Sequence, residues 1–122
     1  DDPAIGVYRA TVARAKLDDA EANARLGTAL GKLLGQVLRA AGLKRGAISG
    51  GDTSSYGALS LGLFALTALA PTDAGAALLK AHSEDPEFAD LEIALKGGQM
   101  GTPDYFGRIK SGGGPPMRGG KL

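Results

Sequence analysis

The sequence predicts a layered α/β fold: a sheet flanked by helices, with mixed strand directions possible. Three observations carry that expectation. Runs of strand length, apolar or alternating, recur at residues 43–49, 63–70 and 91–96. Helical patterns with capping residues lie between and around them. Twice, a strand-like run empties into a Gly-Gly turn that a helix pattern follows. The first copy is Ile48-Ser49-Gly50-Gly51-Asp52-Thr53-Ser54-Ser55, and the second is Lys96-Gly97-Gly98-Gln99-Met100-Gly101.

In order along the chain, Asp2-Pro3 reads as a helix start, with Asp at the cap and Pro at the first helical position. Ile5, Tyr8, Val12 and Ala15 recur at helical spacing, so a first helix reaches about Ala15. Arg9 and Arg14 read as solvated helix charges, with phosphate contact as the lesser alternative. Asp18 and Glu21 have capping-box spacing and open a second helix. In it Leu26, Leu30, Leu33, Leu34, Val37, Leu38 and Ala41 fall within an arc of roughly 140°. That arc is the expected core face. Gly27, Gly31 and Gly35 lie four apart on its edge. Each costs about 1 kcal/mol against Ala in a helix, so close approach to a sheet or neighbouring helix is expected there. Gly42 ends the helix.

A short strand from Leu43 to Ser49 follows, then the first glycine turn, then a helix from about Ser54 to Leu61. The run Leu63–Ala70, closed by Pro71, has the length of a buried strand, with a continued helix as the competing reading. Thr72 to Ala76 reads as a turn and Ala77 to Ala81 as another short strand. His82-Ser83-Glu84-Asp85-Pro86-Glu87 reads as an exposed loop. His82 is the single histidine, and with no second metal-type neighbour it is read as structural or solvent-facing. Leu91–Lys96 is a strand running into the second turn. Thr102-Pro103-Asp104 opens a helix carrying Tyr105, Phe106 and Ile109. Residues 112–122 are Gly, Pro and basic residues, expected as a flexible tail behind a domain at 1–111.

Composition bounds the function. A chain of 122 residues is one domain or a piece of one, able to bury roughly two-thirds of its unfolded surface. Fourteen basic against thirteen acidic residues leave a net charge of +1, which makes no argument for nucleic acid or an acidic membrane surface. With no Trp and three each of Tyr and Phe scattered along the chain, no base-stacking platform is evident. No apolar run approaches the ~20 residues of a membrane helix. The absence of cysteine rules out disulfide and thiolate chemistry and fits a reducing compartment, so a cytoplasmic location is expected.

The two glycine turns carry the chemistry. Glycine permits φ > 0 and lets a ligand approach the main chain. A helix N-terminus behind the turn offers free N–H groups and the positive end of the dipole. Two such turns meeting at the carboxyl ends of strands would make a polyphosphate cradle. Thr53, Ser54 and Ser55 are the candidate hydroxyl donors and Lys96 the candidate point charge. Neither turn is a Walker loop or a dinucleotide fingerprint. Asp52 fits an anion site if Mg²⁺ lies between it and phosphate, or if it serves as a base or a helix cap.

These residues, with Leu61-Gly62, Ala65-Leu66-Thr67, Ala70-Pro71 and Asp104-Tyr105-Phe106, resemble the C-terminal nucleotide-binding domain of the four-carbon acid sugar kinases. The resemblance runs from about Asp2 to Ile109. It implies a Rossmann-like nucleotide-binding domain and ATP-dependent phosphorylation of a hydroxyl on a tetronate, 3-oxotetronate or similar sugar acid. ATP and Mg²⁺ are the implied cofactors. Gly50, Gly51, Asp52 and Thr53 would line the nucleotide phosphates, with Gly97 and Gly98 as the opposite wall. Asp52 is the one candidate catalytic residue. The family's acidic N-terminal motif is not matched by Asp1-Asp2-Pro3, and its sugar-binding domain has no counterpart here. The expectation is therefore one half of a kinase, inactive alone, whose small sugar-acid partner sits on another domain; a homo-oligomer is compatible with it.

Two alternatives stay open at this point. One is a ribokinase-like sugar kinase with Asp52 as base. The other is a non-catalytic α/β interaction module whose glycines only shape turns.

Overall fold

The computed structural model of the protein describes residues 2–112. The expected flexible tail lies, from residue 113 onward, outside the described residues. Among the described residues there are four helices, α1 (Pro3–Arg14), α2 (Asp19–Ala41), α3 (Gly51–Ser60) and α4 (Tyr105–Lys110). The four strands are β1 (Arg45–Ser49), β2 (Leu63–Pro71), β3 (Ala77–Ser83) and β4 (Glu92–Lys96). They form one mixed sheet in the order β1-β4-β3-β2. β1 and β4 are parallel, with Ser49 opposite Lys96. The β3–β4 and β2–β3 pairs are antiparallel.

Alternation along the strands divides the core in two. On one face Ile48, Ile93 and Ala81 pack with Leu38, Ala58, Leu61, Phe88 and Leu91 beneath α2 and α3. On the other, Leu78 and Ala94 pack with Tyr105 and Ile109 of α4. The sheet is thus the middle of three layers, as an α/β unit requires. Caps place the first two helices. Asp2 accepts the Ala4 N–H at 2.9 Å, and Asp18 accepts the Glu21 N–H at 2.7 Å.

The glycine stripe of α2, rather than its leucine arc, faces the fold. Gly27, Gly31, Gly35 and Leu38 are buried, while Leu26, Leu30, Leu33 and Val37 are exposed. At 100° per residue the buried stripe is turned by roughly 90° from the expected arc. Steric contact is the reason. A Cβ on Gly31 would lie 2.0 Å from Ser60 Oγ and 2.6 Å from the Cα of Gly57, and one on Gly27 would lie 2.8 Å from Tyr56 Cβ. The two helix backbones meet where neither carries a side chain, so the expected close approach to a neighbouring helix is present.

α1 forms where predicted; only Val12 in it is buried, and Tyr8 holds α2 through a 2.9 Å bond from its hydroxyl to Asn23 Oδ1. One other expectation of burial gives way, in the run 63–70. The run is a strand, yet only Leu63 in it is buried and Phe64 is 70% exposed. β2 is an edge strand, bonded to β3 alone, and the helical layers cover little of it. His82 and Ser83, expected in a loop, end β3, and His82 Nε2 lies 2.7 Å from Thr67 Oγ1 across the β2–β3 ladder. That contact fits the structural or solvent-facing reading of His82.

The β3–β4 connection is tied to α2 by charge. Arg39 pairs with Asp85 and, at 2.6 Å, with Glu87, and its guanidinium stacks 4.3 Å above the Phe88 ring centroid. A backbone N–H bond from Glu87, aided by Arg39, holds the Asp85 carboxyl below its ordinary value of 3.8. A depressed carboxylate stabilises the fold above that value, and the contribution is lost as pH falls through the lower folded value. Acid titration of the melting temperature should therefore show a loss below about pH 4 that Asp85→Asn makes shallower. An Asp85→Asn curve superimposing on wild type throughout would exclude that contribution.

Candidate functional site

Because β1 and β4 are parallel neighbours in register, their carboxyl ends reach the same edge of the sheet together. β1 delivers Gly50 and Gly51 there, and β4 delivers Gly97 and Gly98. The Gly50 N–H donates to the Lys96 carbonyl at 2.9 Å, and a Cβ on Gly98 would stand 3.7 Å from Gly50 Cα. The two turns therefore touch. Gly50 has φ +111°, a conformation that L side chains rarely adopt. That single residue reverses the chain so sharply that α3 begins at once, at Gly51, three residues before the expected start.

Gly50 is the N-cap of α3, and no side chain caps it. The N–H groups of Gly51, Asp52 and Thr53 have no intrahelical acceptor and carry the positive end of the helix dipole. No atom lies within 4 Å of where a Cβ of Gly51 would stand. Open space thus borders the first turn of the helix.

The four hydrophilic candidates behind the glycines separate. Ser54 is buried, and its hydroxyl donates to Ile48 O at 3.3 Å, with Lys96 O at 3.5 Å, joining the ends of the two strands. Ser55 donates to Gly51 O at 3.2 Å. These two are not the free hydroxyl donors the pattern suggested. Thr53, half-buried against Gly50, makes no side-chain hydrogen bond among the described residues and keeps its donor. Asp52 is exposed and does not cap α3, which removes the cap from its three expected roles.

Lys96 is also placed differently from a free point charge. It is 8% exposed, its ammonium donates to Gly97 O at 3.0 Å, and it lies 5.6 Å from the Tyr105 ring centroid. The ammonium is thus turned to the Gly97 carbonyl, with Gly98 O at 3.5 Å, rather than held free for a ligand.

Beside the turns opens a cleft of about 580 Å³ between α3 and β2. Gly51, Gly97 and Lys96 close its polar end; Ala58, Leu59, Leu63, Phe64, Leu66 and Leu95 form its apolar wall, with Gly75 on the rim. Sequence reasoning missed Leu59, Phe64 and Gly75 as site residues. The available signal was that Phe64 and Leu66 share one side of a strand. A second cleft of about 580 Å³, between β1 and α4, has no glycine turn, and its Arg45 already serves Glu92 and the Ile109 carbonyl. Among the described residues no cluster of three or more His, Cys, Asp or Glu could hold a metal by itself, and no helix is long and apolar enough to cross a membrane.

An apolar cleft ending in two glycine turns and a helix N-terminus has the form of a site for a ligand with a flat apolar part and an anionic part. Comparison with known proteins agrees with that form. Residues 3–106 match the family described as nucleotide-binding C-terminal domain. The chain is also 36% identical over 112 residues to a 3-oxo-isoapionate kinase from Paraburkholderia graminis, covering 92% of this chain and 24% of the relative. It thus spans about a quarter of that relative's length. No solved structure matches significantly. The chain belongs to the nucleotide-binding C-terminal domain family, the C-terminal domain of the four-carbon acid sugar kinases.

Proposed function

We propose that this chain is the ATP-binding domain of a kinase that phosphorylates a hydroxyl of a four-carbon acid sugar, of the tetronate or 3-oxotetronate type. The observation that carries the reading is the contact of the two glycine turns at the ends of parallel β1 and β4. The phosphates lie against Gly50, Gly51, Asp52, Thr53, Gly97 and Gly98, held by main-chain N–H groups and the Thr53 hydroxyl. The nucleoside occupies the apolar cleft along Phe64 and Leu66. The sugar acid is held by a domain other than 1–111, and transfer requires that domain to set the hydroxyl in line with the γ-phosphate. The name of the 36% identical relative, a 3-oxo-isoapionate kinase, supports a small oxidised sugar acid as acceptor.

Mg²⁺ fits these residues. Among the described residues no three-carboxylate cage exists, and Mg²⁺ needs none, because it is usually held by one or two carboxylates together with substrate phosphates and water. Exposed Asp52, in the first turn of α3, is the carboxylate that would hold it. When bound, the ion neutralises charge on the phosphates.

Calorimetric titration with Mg-ATP tests the reading: saturable binding tighter than about 1 mM is expected. A folded protein that binds no nucleotide would contradict it. Asp52→Asn discriminates the role of the carboxylate. Affinity for Mg-ATP should fall about tenfold or more, while affinity for metal-free ATP holds or rises as the like charge is removed. Unchanged Mg-ATP affinity with lost turnover in the complete enzyme would make Asp52 the base of a ribokinase-like mechanism.

A further inference from the structure

The second glycine turn is braced by a residue far from it in sequence. Asp73, in the β2–β3 turn, is 7% exposed. Its Oδ2 accepts the Thr102 N–H at 2.8 Å, at the far end of the Gly97–Thr102 segment. Its Oδ1 pairs with Arg108, which also donates to Thr102 Oγ1 at 2.9 Å. The Met100 side chain fits between the two turns: a Cβ on Gly75 would stand 2.9 Å from Met100 Cε, and one on Gly97 would stand 3.0 Å from Met100 Cγ. Lys96 fixes the near end of the segment through the Gly97 carbonyl. The segment is therefore clamped at both ends, and the far clamp is a buried carboxylate.

We propose that Asp73 is a positioning residue for the nucleotide: through Thr102 it sets the Gly97–Gly98 wall against Gly50 and Gly51, with no contact to ligand of its own. A carboxylate this near an anion site would oppose phosphate if left unpaired. Arg108 offsets that charge by pairing with Asp73, and Asp104, 3.3 Å from the same guanidinium, is 65% exposed and screened by solvent. The Thr102 N–H bond sets the far end of the second turn, while the Gly50 N–H bond to Lys96 O and the Lys96 contact to the Gly97 carbonyl set its near end. A shift of about 1 Å in such a wall is enough to cost large factors in binding or rate. The inference rests on the nucleotide reading above but makes a claim about the free protein as well.

The test uses the full chain and three variants. Asp73→Asn keeps an oxygen for the Thr102 N–H, although its NH2 then faces the Arg108 donors, and should bind Mg-ATP more tightly than Asp73→Ala does. Asp73→Ala should bind at least tenfold more weakly than wild type. To separate binding from the folding cost of taking the buried carboxylate away from Arg108, Asp73→Ala combined with Arg108→Met removes both charges and should fold with the same loss of affinity. Hydrogen exchange of the ligand-free proteins supplies the second readout. The Thr102 amide should lose protection in the alanine variants and keep it in Asp73→Asn, while the Gly50 amide stays protected in all. Asp85→Ala serves as control: it breaks the Arg39 pair at the β3–β4 connection and should lower the melting temperature without changing nucleotide affinity. Alanine variants that bind as wild type, or that keep Thr102 protected, overturn the proposal. Wild type binding no nucleotide overturns the functional reading instead, and the exchange result then decides the bracing alone.

Discussion

Gly31→Val is expected to cost about 3 kcal/mol or more, a loss large enough to unfold a marginal domain. The first added carbon would stand 2.0 Å from Ser60 Oγ and 2.6 Å from both the Cα and the carbonyl oxygen of Gly57. Ser60 can rotate away, but the α3 backbone can yield only by moving the helix. α3 is fixed in turn by Ile48, whose Cδ1 lies 2.7 Å from where a Cβ of Gly57 would stand. Relief at one contact therefore creates strain at the next. Two controls separate this from helix propensity. Gly6 in α1 has nothing within 4 Å of its Cβ position, so Gly6→Ala should stabilise by up to about 1 kcal/mol. Leu33 is 55% exposed, so Leu33→Ala should cost less than about 0.5 kcal/mol. Denaturant midpoints in which Leu33→Ala proved costly and Gly31→Val harmless would place the leucine arc, and not the glycine stripe, in the core.

Most of the element order was legible because its signals are local. Asp2-Pro3, Asp18 with Glu21, and Gly42 act within a few residues of themselves, and the helix ends fall at or beside them. The strand of 63–70 follows from length and the terminal proline. What was not legible depends on which surface another element covers. A period of 3.6 shows that α2 has a leucine arc; it does not show that the glycine edge makes the tighter contact. The same holds for β2, whose apolar run reads as interior but lies at the edge of the sheet.

The site divides along the same line. The glycine turns could be found by their spacing to strand and helix. Their contact could not, since it depends on β1 and β4 being parallel neighbours, a pairing between residues 47 positions apart. The hydroxyls illustrate the limit. Thr53, Ser54 and Ser55 are equivalent as letters, yet rotation about α3 sends Ser54 to the strand ends and Ser55 to its own helix carbonyl. Asp73 gave no signal at all. It lies in a turn of ordinary composition, and its partners Thr102 and Arg108 are 29 and 35 positions away.

The strongest functional effect is expected at Gly51. Gly50 is a poor probe, because its φ of +111° would strain any replacement and confound binding with folding. Gly51 carries no such constraint, and nothing lies within 4 Å of its Cβ position. The position is the first of α3, where a valine is tolerated by the helix. Its side chain would project into the open space beside the N–H groups of the first turn, which the account fills with phosphate. Gly51→Val should thus leave the melting temperature within a degree or two of wild type while abolishing nucleotide binding. Mg-ATP at 100 times its Kd should stabilise wild type by about 2.7 kcal/mol and the variant by nothing.

The most direct test of the central claim is calorimetric titration of Mg-ATP into the wild type and Gly51→Val side by side. The account predicts saturable binding to the first and at least a hundredfold loss, about 2.7 kcal/mol, in a second protein that melts normally. Equal binding to both would show that the nucleotide does not lie at the Gly50–Gly51 turn, and the site proposed for this domain would be wrong.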